Sequence, residues 1–447
     1  MTAALDQAYE LLREKGPEYG PLGLSNHGPM AAEALHAAGR DDAILPWLER
    51  YGRLLDPQPP GFEPIDPLDW QSAIGRLDRF ADWLGLFEQE LAEPQWQPVL
   101  ERWSSRLAPG LSGGALHGLL RTAHATRALS ASDTRLRRFE LAQGLAYWAA
   151  CFYRLPGDPA AGRLPTPAAL AAVPLLPVDQ RPELGLITTS LENLAVFAPF
   201  RTVATNLDYE SLPAEQVVSD LTLAFAGAYL SNVTPTNRIA LIHMLTGPSS
   251  VRLLLPHTSE STGRTLVAYS WQAGAALFSA FATDKQQPVV CSEPPAADDL
   301  LDRALLVGDE HAIKFTEACL REEAVQPSPI FRAAADDVVR HMASDRPRCR
   351  ARPASDPAPG PAGSQDRYWS GGASVPACIP TGEISQGAND CIWDSASGLG
   401  ETFSNLFSTG LCSRNADWPA IDPVLNLVTP APATASISPT RSTRVLP

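Results

Sequence analysis

Residues 308–314 read Gly308-Asp309-Glu310-His311-Ala312-Ile313-Lys314, and this stretch sets the interpretation of the whole chain. Asp309 is a residue type that caps helices, and apolar residues continue at helical spacing to Leu320. At i, i+3 spacing, His311 and Lys314 would be neighbours on one face near the helix start. The helix dipole there disfavours a cation, so a lysine converted to an anionic carbamate would suit the position better than an ammonium.

Lysine is rare in this chain, which has three lysines and otherwise uses arginine as its cation. Arginine stays charged at any working pH, whereas a buried lysine can lose its proton and then bind a metal or be carboxylated. The alternative is a surface ion pair of Lys314 with Glu310 or Glu317, which is the commoner situation for an isolated His-x-x-Lys sequence. The motif alone therefore does not decide between them.

Three further histidines lie in hydrophobic sequence at or within predicted helices: His27, His117 and His243. A single histidine in such a place is usually a hydrogen-bonded core residue, but several on separate helices can converge inside a helical bundle. Neutral imidazoles are the usual ligands of iron, zinc and copper. The histidine pattern therefore adds weight to a metal site that includes His311 and Lys314.

Four motifs, taken in order over residues 3–343, resemble the questin oxidase-like family, which includes Baeyer–Villiger-type oxidases. They are Asn26-His27-Gly28-Pro29-Met30, His117-Gly118-Leu119-Leu120-Arg121, His243-Met244-Leu245-Thr246 and His311-Ala312-Ile313-Lys314. The resemblance implies an oxidoreductase that uses O2 to open or oxygenate an aromatic polyketide ring, such as an anthraquinone. It also implies Fe(II), an involvement of NADPH, and a metal held by His27, His117, His243, His311 and a carboxylated Lys314.

One departure from the family pattern concerns the second motif. In the family this motif resembles His-Pro-Leu-Ile-His, with a histidine at each end. This chain has Arg121 in place of the second histidine, which leaves His117 as the only ligand of the motif. His124 lies two turns further along the same helix face. We expect Arg121 and His124 to contact the substrate or to support the ligands from outside.

The ligand set predicted from the resemblance also makes physical sense. Four neutral imidazoles would leave the charge of Fe(II) uncompensated in an apolar interior, and one carbamate anion partly neutralises it. The more familiar arrangement in such oxygenases is two histidines and one carboxylate, which Asp309 or Glu310 would supply. We favour Lys314 because both acids are expected to cap the helix.

Composition limits the class of protein. With 447 residues, 45% hydrophobic and 19% charged, the chain has ample material for a large core. The net charge of −15 would repel nucleic acid and anionic membranes. No basic signal-peptide region precedes the first helix, seven cysteines form no C-x-x-C pair, and the longest apolar runs, 221–230 and 273–282, are too short to cross a bilayer. These features predict a cytoplasmic protein that binds neither nucleic acid nor membrane, and the family resemblance implies a small aromatic substrate and O2 as its partners.

Hydrophobic periodicity predicts a single large all-α domain over residues 1–343. Besides the helix after Asp309, helical segments are expected at residues 3–15, 28–38, 43–55, 68–91, 95–107, 114–129, 134–152, 187–203, 217–230, 237–245, 266–281 and 296–305. A proline-rich stretch over 155–184 is the longest predicted connection and a candidate lid. Residues 344–447 are low in complexity and predicted to be disordered. They are either the native tail or a frame-shifted translation that replaces native terminal helices.

Two other functions stay open at this point. Gly110-Leu111-Ser112-Gly113-Gly114 fits the G-x-S-x-G pattern of serine hydrolases, but that motif needs a buried strand before Ser112, and the preceding residues are helix-like. The other alternative is a helical binding or scaffold protein without catalytic activity, in which the histidines are ordinary core residues. Metal analysis distinguishes this alternative from the oxygenase.

Overall fold

The computed structural model describes residues 3–182, 186–283, 289 and 294–344, and in these the protein is all-α, as predicted. The only sheet among them is a two-stranded antiparallel hairpin of β1 (Glu18–Tyr19) and β2 (Leu24–Ser25). The α-helices of the described residues are α1 (Ala4–Leu12), α2 (Gly28–Ala37), α3 (Asp41–Tyr51), α4 (Phe80–Glu90), α5 (Gln97–Leu107), α6 (His117–Ala131), α7 (Arg135–Ala150), α8 (Thr166–Ala171), α9 (Ile187–Glu192), α10 (Ala214–Asn232), α11 (Arg238–Leu254), α12 (Glu260–Phe281), α13 (Ala297–Val307), α14 (Glu310–Val325) and α15 (Pro329–Ser344).

Helices α6 and α7 pack closely because glycines face the partner helix. A Cβ atom added at Gly118 would lie 2.4 Å from the Cα atom of Trp148, and one added at Gly144 would lie 2.8 Å from the Cα atom of Thr122. No side chain fits at these distances, so any other residue would push the two helices apart. The main hydrophobic core surrounds this pair, and α1, α2 and α3 bury a second, smaller apolar cluster beside it.

Four helices form a closed ring that positions the site. Helix α2 packs against α6, α6 against α11, α11 against α14, and α14 back against α2. These are the helices that carry, or directly follow, the four histidines singled out above. Their buried faces meet in a shared interior, which is where bundle proteins build metal sites from facing side chains.

Several predicted elements differ from the observed ones. The helix expected over 68–91 is complete only from Phe80, because Gly75 has a φ of 70° and breaks the chain into short 3₁₀ turns. The helix expected over 187–203 ends at Glu192, and two 3₁₀ segments, Asn193–Ala195 and Ala198–Thr205, follow it. Helix α11 continues past Pro248 to Leu254, and the β1–β2 hairpin and α15 were not predicted.

The stretch over 155–184 contains α8 and packs as a connection. Its Leu176 N–H donates to the carbonyl of Ser279 on α12 at 2.8 Å, and Gln272 of α12 donates to the carbonyls of Pro156 and Gly157. The segment is therefore fixed to α12, and the described contacts give it no role as a lid over the histidines.

The described helical body ends with α15 at Ser344, one residue after the predicted domain end at 343, and lies within a compact unit spanning Met1–Arg346. The predicted disorder of residues 344–447 concerns residues that, apart from the backbone of Ser344, lie outside the described ones. Contrary to expectation, one described stretch, Arg238–His257, is long and apolar enough to cross a membrane by length and composition. Its most apolar window is 78% buried inside the protein, as in a core helix.

Candidate metal centre

The structure brings all four predicted histidines together from four distant parts of the chain. The ring of His27 stacks on that of His117, with centroids 4.4 Å apart, and meets the ring of His311 edge-on at 4.5 Å. The ring of His243 lies 4.9 Å from that of His117 and 6.0 Å from that of His311. Residues separated by up to 284 positions therefore converge on one buried point, as the metal-site hypothesis requires.

A strained turn aims His117 into this interior. Gly114, Ala115 and Leu116 all have left-handed backbone angles, with φ of 53°, 53° and 68°, and α6 begins directly after them at His117. Non-glycine residues adopt this conformation at a cost of about 1–2 kcal/mol each. The turn places the carbonyl of Gly114 within 2.7 Å of Nδ1 of His117, which fixes the ring orientation. Backbone strain of this kind concentrates at functional sites.

Hydrogen bonds fix the tautomers of His117 and His243. Nδ1 of His117 donates to the carbonyl of Gly114, and Nδ1 of His243 donates to the carbonyl of Ile239 at 2.6 Å. Because a carbonyl oxygen only accepts, both Nδ1 atoms carry the hydrogen, and both Nε2 atoms of the neutral rings have a free lone pair. These two Nε2 atoms are 3.3 Å apart. Two facing lone pairs repel each other unless a cation lies between or beside them.

Protonation of either ring would supply such a cation, but burial disfavours it. Burial lowers the pKa of His243 to about 3, with further lowering by His311 and Lys314. Burial also lowers the pKa of His117 well below its usual value, and Lys314 adds to the effect. The site therefore disfavours an imidazolium and offers paired lone pairs at a separation suited to adjacent ligands of one transition metal.

The sequence around His27 explains how this residue enters the site. The side chain of Asn26 donates to the carbonyl of Gly16 at 3.0 Å and accepts from the N–H of Gly28 at 3.0 Å, which shapes the turn before α2. The N–H of His27 donates to the hydroxyl of Tyr51 at 2.7 Å. His27 is only 5% exposed and neither of its ring nitrogens has a hydrogen-bond partner, so the unprotonated nitrogen of the neutral ring is free to bind a metal.

Lys314 lies in the same interior and has no hydrogen-bond partner. The residue is 4% exposed, and its Nζ atom is buried. Burial lowers the pKa of Lys314 to about 8, although Glu310 and Asp309 oppose the shift. A lowered pKa increases the neutral fraction of the amine, and the neutral amine is the form that can react with carbon dioxide or bind a metal.

The two acids at the start of α14 have different roles. Asp309 caps the helix as predicted, since its Oδ1 atom accepts from the N–H groups of His311 at 2.8 Å and Ala312 at 3.4 Å. Glu310 does not cap the helix, and the expectation that both acids do so is wrong. Its Oε1 atom lies 3.4 Å from Nδ1 of His27 and 3.7 Å from Nδ1 of His311.

Glu310 is therefore a ligand candidate that the sequence argument set aside. One ligand atom each from His27, Glu310 and His311 lie within 4.8 Å of one another. Burial raises the pKa of Glu310, and the neighbouring Asp309 adds to this rise. We call the four histidines together with Glu310 and Lys314 the histidine layer.

Arg121 and His124 are paired with carboxylates. Arg121 donates to both oxygens of Glu140 on α7 at 2.6 and 2.9 Å, and Nδ1 of His124 donates to Glu33 on α2 at 2.6 Å. Among the described contacts, neither side chain touches the histidine layer. Substrate contact by either residue stays a prediction, and His124 lies in the interior between α2 and α6.

Ser112 lacks the surroundings of a hydrolase nucleophile among the described residues. Helix α5 and a 3₁₀ turn precede it where a strand would be needed. Its φ of −74° is unstrained, and its Oγ atom donates to the carbonyl of Tyr153 at 2.7 Å. The strained residues of this segment are those that follow and that position His117.

The comparisons with known proteins assign no family to this chain. A scan against protein-family models finds no match for this chain, and a search of curated proteins finds none. What the structure itself provides is the all-α fold and the buried histidine layer.

Proposed function

We propose that the protein is an O2-dependent oxidoreductase of the questin oxidase type that oxidises or cleaves the ring of an aromatic polyketide at a non-haem Fe(II) site. The observation that carries this proposal is the pair of unprotonated Nε2 atoms of His117 and His243, 3.3 Å apart within a buried group of four imidazoles. The resemblance of the four histidine motifs supplies the reaction and the substrate class.

The donor set suits iron. Imidazoles from His27, His117, His243 and His311 would hold the ion, and a carboxylated Lys314 would supply the anion that balances its charge. When bound, Fe(II) supplies one-electron chemistry with O2, which organic side chains do not. The carbonyls of Gly114 and Ile239 orient two of the imidazoles, as outer hydrogen-bond partners do in metal proteins.

The site is most accessible on the side of α14. The side chains of His311 and Glu310 are 15% and 17% exposed, whereas that of His27 is 6% exposed. Tyr19, in the β1–β2 hairpin, is half-buried near Glu310, and burial together with Glu310 raises its pKa to about 12. We infer that the substrate approaches here, where the protonated phenol of Tyr19 can donate to a ring carbonyl.

Metal analysis tests the proposal directly. The protein is reconstituted with Fe(II) without oxygen, desalted and analysed for bound iron, and oxygen consumption is then followed with an anthraquinone-type substrate, with and without NADPH. We expect one iron per chain in the wild type and its loss in His243→Ala. A wild type that holds no transition metal after this treatment would favour a scaffold protein. Inhibition by a serine-directed phosphonate would favour a hydrolase.

The source of the anionic ligand is tested separately. Carbon-13 bicarbonate is supplied during reconstitution with Zn(II), which unlike Fe(II) is diamagnetic and does not broaden the signal, and a carbamate signal is sought by NMR in the wild type and in Lys314→Arg. If Lys314 is carboxylated, the signal is present only in the wild type, and Lys314→Arg loses iron because a guanidinium does not coordinate. Iron retained by Lys314→Arg but lost by Glu310→Gln would instead assign the anionic ligand to Glu310.

A further inference from the structure

A second buried set of charged side chains lies along the helices that carry the histidine layer. We call it the ion-pair layer. Its members are Glu33 on α2, His124 and Arg127 on α6, and Glu317 and Arg321 on α14. Nothing in the sequence motifs required it, although a lone acid within the apolar run of α2 was a signal that could have been followed.

Arg127 is the centre of the ion-pair layer. Its Nε and Nη2 atoms donate to the two oxygens of Glu33 at 2.7 and 2.5 Å, and its Nη1 atom donates to Glu317 at 2.6 Å. Glu33 also accepts from Nδ1 of His124 at 2.6 Å. One guanidinium therefore ties α6 to both α2 and α14.

The fourth ligand-bearing helix is tied to the same set. Arg321 contacts Glu317 at 3.2 Å and donates to the carbonyl of Ser249 on α11 at 2.9 Å. A residue further along α14, Glu322, accepts from the hydroxyl of Ser249 at 2.7 Å and from Arg252 at 2.7 Å. Buried charged groups thus connect all four helices of the ring.

The ion-pair layer lies beside the histidine layer and does not overlap it. Glu33 follows His27 by six residues, and Arg127 follows His117 by ten. With a rise of 1.5 Å per residue, these offsets correspond to roughly 9 and 15 Å along the helix axes. Arg127 is therefore too far along α6 to be a ligand, but it sets how α6 lies against α2 and α14.

We propose that Arg127 is a positioning residue for the metal centre, an inference that rests on the proposed function. Apolar burial has no preferred direction, whereas a planar guanidinium shared by two carboxylates fixes both the distance and the orientation of its partners. Metal ligands must be held within about 0.5 Å of their productive positions. The forked contacts of Arg127 hold α2, α6 and α14 in the register that brings His27, His117 and His311 together.

The test separates positioning from stability. The triple variant Glu33→Gln/Arg127→Met/Glu317→Gln removes the charges of the shared contact together, so no carboxylate is left buried without a partner, and the amide oxygen introduced by Glu33→Gln can still accept from His124. Co(II), which gives visible absorption in such sites, is titrated into the metal-free protein, and the dissociation constant, the spectrum and the thermal midpoint are recorded. We expect a 10–100-fold weaker dissociation constant and an altered spectrum, with a midpoint close to that of the wild type.

Two controls complete the experiment. Arg79→Met/Asp82→Asn removes a comparably buried ion pair, 2.5 Å long, at the start of α4, which carries no ligand, and it should leave the Co(II) affinity unchanged. Arg127→Lys keeps the charge but loses the fork, so it should fold and bind Co(II) more weakly even if the triple variant does not fold.

The outcomes separate the two proposals. Unchanged Co(II) affinity and spectrum in both Arg127 variants would overturn the positioning role and leave the proposed function intact. A wild type that binds neither Co(II) nor Fe(II) would overturn both. Weaker binding in the control pair, equal to that in the triple variant, would reduce the effect to general destabilisation and also overturn the positioning role.

Discussion

The histidine layer and the ion-pair layer lie on the same helices but satisfy their polar atoms in opposite ways. In the ion-pair layer each carboxylate accepts from at least two cationic or ring donors. In the histidine layer, Nζ of Lys314 and both ring nitrogens of His27 have no hydrogen-bond partner, and two Nε2 atoms face each other. Buried polar groups are almost always paired, so this contrast needs an explanation.

The difference teaches how to separate a structural polar cluster from a binding site. Both layers are mostly buried and both hold titratable groups, so burial and composition do not distinguish them. Of the two layers, only the histidine layer contains a buried amine and buried ring nitrogens without a hydrogen-bond partner, and only there do two Nε2 atoms face each other. A bound metal with its anionic ligand would satisfy these groups, which is why the proposed function places the metal there.

The largest effect is expected from breaking the ion-pair layer at its centre. Arg127→Met alone leaves the carboxylates of Glu33 and Glu317 buried without their shared cation. Such a change costs about 3–5 kcal/mol of folding free energy, measured by urea unfolding. Arg76→Met is the control, since its partner Asp78 is half-exposed and the loss there should be small. Equal losses in the two variants would show that the ion-pair layer is not different from a surface pair.

Metal should stabilise the protein through the histidine layer. Ligand that binds only the folded state adds about 2.7 kcal/mol at a hundredfold excess over its dissociation constant. We expect Co(II) to raise the free energy of unfolding by this amount in the wild type and not in His243→Ala. His257→Ala should respond like the wild type, because His257 lies outside the layer and contacts Trp96. An equal increase in the free energy of unfolding of His243→Ala would show that Co(II) binds outside the histidine layer.

The ion-pair layer also predicts a pH dependence. Burial alone would raise the pKa of Glu33, but Arg127 and His124 outweigh it and lower this pKa from 4.5 to about 2. The stabilisation from Glu33 is therefore complete above pH 4.5 and is lost as the pH falls towards 2. From pH 6 to pH 3, the stability advantage of the wild type over Glu33→Gln should shrink by about 2 kcal/mol, measured by urea unfolding. A constant difference over this range would mean that Glu33 titrates normally.

Much of the fold was predictable from sequence, because hydrophobic periodicity reports burial directly. Two errors come from features that the periodicity does not report: Gly75 broke a predicted helix, and α11 continued through Pro248 beyond its predicted end at residue 245. A proline inside a helix removes one hydrogen bond and crowds the carbonyl four residues before it, and the packing of α11 against α6, α10, α12 and α14 compensates for this cost. The short β1–β2 hairpin carries too few residues for an alternating pattern to be visible.

The candidate site was predictable in its residue types and not in its pairings. Histidines within apolar helices indicated a shared interior, and the structure places them together. The sequence could not show that Asp309 caps α14 while Glu310 turns towards His27, because adjacent acids are equivalent in a pattern. Nor could it show that His124 pairs with Glu33, since that contact depends on the packing of α2 against α6.

The smallest predicted effect concerns the turn that aims His117. Ala115 has φ 53° and ψ 45°, a conformation that glycine adopts without steric cost. Ala115→Gly should therefore raise the free energy of unfolding of the metal-free protein by up to about 1 kcal/mol, after the entropy that glycine adds to the unfolded chain is subtracted. Thermal unfolding of the two proteins side by side measures the change.

Ala125→Gly provides the matched control, because Ala125 is buried within α6 in ordinary helical conformation. The same substitution there should lower stability by about 1 kcal/mol. Opposite signs at positions 115 and 125 would show that the turn before His117 is held under strain by the surrounding packing. If Ala115→Gly also weakens Co(II) binding, the strain serves to fix the imidazole of His117 for the metal. Losses of stability of equal size at both positions would mean that the left-handed turn stores no strain. The histidine layer would then owe its geometry to helix packing alone.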